Sequence, residues 1–256
     1  MVTLISIFLS IPLIVSGTIS YCSHGTDWTD ICSTGSKQSP INIVTSSATK
    51  KEKSEGINFN FTSHKVEGEF TDHNFEIEGN FVDGKLKVGS LKKGYGVQFH
   101  FHAPSEHQID GNSYDLEMHV VQKDSAGNYL FVVGILFKKG SSSNDFIEKV
   151  IDSETEETKI DLTDILDDDL ANFYYYEGSL TTPPCTESVE WFVWEEIQEI
   201  SEEQLEFFTS KWAGTSSFGC GNGNNRAVQN LNSRTVTYYE SSNLLVLGLS
   251  VIAFIF

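Results

Sequence analysis

Basic side chains are scarce in this chain. Its 256 residues hold 17 Lys and Arg against 36 Asp and Glu, a formal net charge of −19. That balance disfavours nucleic acid as a partner, because binding phosphate requires a basic footprint. An acidic surface serves solubility instead. No internal repeat and no linker-like stretch divides the chain, so it reads as one domain of a size able to bury a substantial core. No apolar run reaches the ~20 residues of a membrane-spanning helix. Cysteines number only four, an even count that suits disulfides in an exported protein and leaves three pairings open.

What is present is a globular composition. The chain is 39% hydrophobic and 12% aromatic, with 18 Phe, 9 Tyr and 4 Trp, which excludes a disordered chain. Both ends carry apolar runs. Residues 1–17 end in small residues and read as a secretory signal peptide, with cleavage after Gly17 or as late as Ser20. The expected domain spans 21–238. Residues 239–256 form a hydrophobic tail that reads as a glycolipid-anchor signal, with attachment near Asn232-Ser233 or Ser241-Ser242-Asn243. Asn60 opens the single N-glycosylation sequon.

Short alternating segments at 57–61, 70–77, 81–88, 95–102 and 115–122, with Gly- and Asn-rich breaks, predict antiparallel strands. Tyr129 to Phe137 is almost continuously apolar, as in a central strand covered on both faces. A helix is expected at 145–151, a strand at 189–197, and a second helix at 201–209 with Ser201 as its N-cap. The run 152–169, with nine carboxylates and one lysine, reads as a solvated loop. The fold class is therefore mainly β, α+β in detail: a single domain with a large, mostly antiparallel twisted central sheet and short surface helices.

The stretch from Gln98 to His107 holds three of the seven histidines. Side chains alternate along a strand, so Gln98, His100 and His102 share one face and Phe99 and Phe101 the other. Taken alone, this is either a pair of metal ligands or a buried strand with two hydrogen-bonded histidines. By the same alternation Glu117, His119 and Val121 share a face. A turn near Asp110-Gly111-Asn112 would set the two strands side by side, and His100, His102 and His119 would converge. Three imidazoles with an open fourth position is the catalytic zinc pattern. Gln98 and Glu117 each stand two residues before a histidine, where they can accept its second N–H.

These residues resemble those of the alpha-class carbonic anhydrases. The motifs are Gln38-Ser39-Pro40-Ile41-Asn42-Ile43, Gln98 to His107, Glu117-Met118-His119, Gly178 to Cys185, and more weakly Asn225 to Gln229. The resemblance implies a Zn2+ cofactor on His100, His102 and His119 and zinc-hydroxide catalysed, reversible hydration of CO2 to bicarbonate and a proton. It implies Thr181 as a gatekeeping hydroxyl with Glu106 as its acceptor, and His73 as proton shuttle, with Thr71 and Glu76 departing from the commonest residues nearby. It implies a substrate wall of Val121, Val132, Leu180, Thr182, Val189 and Trp191, and aromatic sulfonamides as inhibitors. It implies a Cys32–Cys185 disulfide, which leaves Cys22 and Cys220 to pair. The competing expectation is an extracellular binding or biomineralisation matrix protein of the same fold, catalytically weak or inactive. The expected location is secreted or on the outer face of the plasma membrane.

Overall fold

The structure, a computed structural model, describes residues 19–52, 57–61, 64–66, 68–70, 75–78, 82–88, 90–165, 172–213 and 218–240. Residues 1–18 and 241–256, Thr71 and His73 lie outside the described residues. So does the side chain of Asn60, whose backbone belongs to the strand Ile57–Phe61. Tyr239 and Glu240, expected to open the C-terminal tail, belong instead to the strand Thr237–Glu240, where sheet pairing holds them in the domain. Among the described residues no helix is long and apolar enough to cross a membrane.

A twelve-stranded sheet organises the molecule. Its main path, in chain order, consists of β1 (Thr49–Glu52), β2 (Glu69–Phe70), β3 (Phe75–Glu78), β4 (Ser90–His102), β5 (Leu116–Lys123), β6 (Tyr129–Lys139), β7 (Phe173–Ser179), β8 (Glu187–Trp194) and β9 (Thr237–Glu240). Across the sheet the order is β1-β9-β7-β8-β6-β5-β4-β3-β2. Most neighbours run antiparallel; β6 with β8 and β9 with β1 run parallel. The strands Ile57–Phe61, Val82–Val88 and Gln198–Ile200 extend it at the sides.

β6 is central because it can be: Phe131 to Phe137 are all buried, with neighbours on both edges. β4 and β5 each divide their side chains between two layers. Phe99, Phe101, Met118 and Val120 enter one core. Helices α1 (Asp145–Asp152) and α2 (Glu202–Ala213) cover that side. Phe146 of α1 lies with its ring 6.1 Å from Phe99, and Phe208 of α2 lies 4.7 Å from Phe101. The opposite layer holds Val121, Val132, Trp191 and Tyr176, and it carries the histidines.

The helix starts follow capping chemistry. The Asn144 side chain accepts from the amides of Phe146 and Ile147. Ser201 Oγ accepts from Gln204 N at 3.2 Å while Gln204 Oε1 accepts from Ser201 N at 3.3 Å, a reciprocal capping box.

Two further expectations are corrected. The strand expected at 189–197 is two strands, Glu187–Trp194 and Gln198–Ile200, separated by a bend at Glu195-Glu196 and both pairing β6. The acidic run is not simply solvated loop. Thr158–Ile160 forms a strand paired with His64–Val66, and Ser153, Ile160 and Leu162 are buried. The few apolar residues of the run anchor it, while most of its described carboxylates stay in water.

Candidate metal centre

Register brings the histidines together. His100 pairs with His119 across β4 and β5, and His102 pairs with Glu117. The strands join through residues 103–115, a connection that includes the short strand Gln108–Ile109 and a turn in which Asp110 and Gly111 take positive φ of 49° and 79°. Ligand atoms of His100, His102 and His119 all lie within 4.8 Å of one another, and the three residues are buried.

The outward-facing ring nitrogens reveal which nitrogens can bind a cation. His100 Nδ1 lies 2.7 Å from Gln98 Oε1, and His102 Nδ1 lies 2.8 Å from the Asn224 carbonyl oxygen. His119 Nε2 lies 2.7 Å from Glu117 Oε1. Each partner is an oxygen that can only accept, so each of these nitrogens carries the proton and the other keeps its lone pair. His100 and His102 thus present Nε2, and His119 presents Nδ1. Burial lowers the His119 pKa against the pull of Glu117, which keeps the ring neutral. Three neutral imidazole donors with oriented second nitrogens fit a borderline-soft divalent cation such as zinc.

Behind the triad, Glu117 is fully engaged. Its Oε2 accepts from the backbone amides of Glu106 and His107, both at 2.8 Å, and its Oε1 accepts from His107 Nδ1 at 2.6 Å as well as from His119. Burial pushes this carboxyl up, but His107 and His119 outweigh it and hold the pKa well below the ordinary value. The chain continues from His107 Nε2 to the Tyr176 hydroxyl at 2.7 Å and on to Ser39 Oγ at 2.8 Å. Gly134, in the row beside His119, makes room for this carboxylate: a Cβ there would meet Glu117 Oε1 at 3.2 Å.

Glu106 is buried at the edge of the triad, with Oε1 3.5 Å from His102 Nδ1 and Oε2 4.0 Å from His119 Nδ1. Its Oε1 accepts from the Arg226 backbone amide at 2.8 Å. Burial raises its pKa to about 7, against lowering effects from His119, the Thr181 side chain and the Arg226 amide. Its Oε2 accepts from no donor among the described residues, and Thr181 lies near enough to lower the carboxyl's pKa.

Three residues of the expected wall, Val121, Val132 and Trp191, lie in one row across the sheet, flanked by Gln98 and Tyr176. Val121, Val132, Val189 and Trp191 are buried in one cluster, with Leu180 packed against it and Thr182 half-buried. The Trp191 ring lies 4.8 Å from His119, and its Nε1 donates to Ser179 O at 2.9 Å. Two disulfides, Cys22–Cys220 and Cys32–Cys185, close the N-terminal wrap onto distant loops. Glu76 pairs with His100 on the flank of β4.

Three contributors were not singled out from the sequence. Asn224 orients His102 through its carbonyl, and its side chain ties down the end of β4: Oδ1 accepts from Ala103 N at 2.8 Å and Nδ2 donates to Phe101 O at 3.0 Å. Arg226 reaches Glu106 through its backbone, and Tyr176 extends the chain behind Glu117.

A family model described as eukaryotic-type carbonic anhydrase matches residues 23–240. The chain belongs to the eukaryotic-type carbonic anhydrase family. Among its relatives, alpha carbonic anhydrase 3 of Arabidopsis thaliana is 36% identical over 83% of this chain and 78% of its own. A carbonic anhydrase of Neisseria gonorrhoeae is 34% identical over 80% and 79%. Among solved structures, the alpha-carbonic anhydrase of Thermovibrio ammonificans in complex with the inhibitor sulfanilamide superposes with a TM-score of 0.69 at 34% identity, over 86% of this chain and 98% of that one. As a member of this family of zinc enzymes, this carbonic anhydrase presents its histidine triad where the fold's central strands meet.

Proposed function

We propose that this carbonic anhydrase hydrates CO2 reversibly to bicarbonate and a proton at a zinc ion held by His100 Nε2, His102 Nε2 and His119 Nδ1. The observation that carries the reading is the buried cluster of three imidazoles, each with its second nitrogen committed to an acceptor. Zinc bound there would lower the pKa of a coordinated water to about 7, a value established for carbonic anhydrase itself.

The chain's own residues do the rest. Glu117, Gln98 and the Asn224 carbonyl fix ring orientation and tautomer. Ionised Glu106 can only accept, so it takes the Thr181 hydroxyl proton. The Thr181 oxygen must then accept, which aligns the attacking oxygen on the carbon and removes an orientational barrier. Val121, Val132, Leu180, Val189 and Trp191 offer apolar CO2 a dry surface beside the histidines. His73 relays the released proton to buffer. All three histidines are in place, which favours an enzyme over a binding or matrix protein of the same fold. Replacing His119 by Ala should abolish both zinc content and CO2 hydration; retention of both would rule out this ligand set.

Aromatic sulfonamides should inhibit, as one does in the Thermovibrio ammonificans relative. We also propose export, followed by attachment through a glycolipid. The two disulfides support export. What favours attachment at Ser241-Ser242-Asn243 over Asn232-Ser233 is β9: it pairs with β7 and β1, and cleavage at Asn232 would remove it from the sheet. Release from cells by a phosphatidylinositol-cleaving phospholipase tests the anchor.

A further inference from the structure

Arg226 is a cation only 1% exposed, and the reaction as derived makes no use of its side chain. Its guanidinium donates through Nη1 to Gln38 Oε1 at 2.9 Å and to Ser39 O at 2.7 Å, and through Nη2 to Cys32 O at 2.6 Å. All three acceptors are neutral. Burying a charge among neutral groups is unfavourable unless something nearby compensates it. The acid that acts on this guanidinium is Glu106, and the same carboxylate accepts the Arg226 backbone amide at 2.8 Å.

The neutral acceptors lead to the other half of the gate. Gln38 Nε2 donates to Cys185 O at 3.1 Å, and Cys185 N donates to Thr182 O at 2.8 Å. Ser39 N donates to Ser179 Oγ at 2.9 Å and Ser179 N donates back to Ser39 Oγ at 3.0 Å. Thr181 lies between these two attachments. Arg226 thus grips Glu106 with its backbone and, through Gln38 and Ser39, both flanks of the Thr181 loop with its side chain.

We propose that Arg226 is a positioning residue that holds the Glu106 carboxylate and the Thr181 hydroxyl in register, and so sets which ligands the site admits. The proposal rests on the CO2-hydration reading above. With its proton committed to Glu106, the Thr181 oxygen can only accept. A ligand carrying a hydrogen on its donor atom is then favoured over an anion without one. The discrimination depends on register, which a planar fork supplies and an ammonium does not.

The test compares zinc-loaded full-length wild type, Arg226→Lys and Gln38→Leu. Benzenesulfonamide retains an N–H when it binds as the anion; azide has no hydrogen. Dissociation constants for both ligands are measured alongside kcat, KM and the melting temperature. In Arg226→Lys, benzenesulfonamide should weaken about tenfold, or about 1.4 kcal/mol, with azide changed less than about threefold. The kcat should fall with KM nearly constant. Gln38→Leu should shift the same ratio in the same direction by less. Equal weakening of both ligands, or an unchanged ratio with only a lower melting temperature, would overturn the proposal. If Arg226→Lys does not fold, an unchanged ratio in Gln38→Leu overturns it alone. A wild type that neither hydrates CO2 nor binds the sulfonamide refutes the underlying reading instead.

Discussion

Glu106 is a buried acid whose pKa is raised to about 7 by desolvation, in a site where the proposed mechanism needs it ionised so that it can only accept from Thr181. Raising a folded-state pKa above the unfolded value means that the folded state binds the proton more tightly. In protein stripped of metal, the contribution of Glu106 to stability is therefore full below about pH 4.5 and is lost as pH rises through about 7, a change of about 3 kcal/mol. Glu106→Gln carries no such titration. Thermal melts of chelator-treated protein should show wild type and variant alike near pH 5, with the variant the more stable at pH 8; parallel curves would contradict this. Glu117 is the opposite case, held ionised by His107 and His119. Its replacement by Ala should weaken zinc affinity by about 10–100-fold, read by competition with a chromophoric chelator.

At the scale of elements, the period of two on β4 and β5 decides what can be foreseen. Once both stretches are strands, alternation alone places His100, His102 and His119 on one face, and pairing aligns them. The orienting roles of Gln98 and Glu117 follow from the same period. What alternation does not convey is whatever arrives from a loop. Asn224 reaches His102 across 122 residues through a backbone carbonyl, which any residue type could supply. The Arg226 amide reaches Glu106 across 120 residues in the same way. The proposed link from Thr181 to Glu106 is legible only through likeness to a known family. Apolar patterning also overran the end of β8, because the Glu195-Glu196 bend lies between two apolar segments that both pair β6. Capping chemistry was local and therefore legible at Ser201. Ser201→Ala should cost about 1 kcal/mol, shifting the urea midpoint without changing the m-value or CO2 hydration.

Over the whole molecule, two disulfides fasten the N-terminal wrap. They join residues 198 and 153 positions apart, and loops of this length correspond to about 5 kcal/mol each in the chain-entropy account. They should differ in function. Replacing Cys22 and Cys220 by Ser should lower the melting temperature and leave kcat near wild type. Replacing Cys32 and Cys185 should lower both, because Cys185 closes the Thr181 loop and the Cys32 carbonyl is gripped by Arg226. Equal kcat losses in the two double variants would contradict that division. The most direct test of the account is stopped-flow CO2 hydration with zinc quantified in the same sample, before chelation, after it, and after zinc is restored. One zinc per chain, activity lost with the metal and recovered with it is the expected result. A folded chain that hydrates CO2 equally well without zinc, or that holds zinc and does not hydrate CO2, would contradict it.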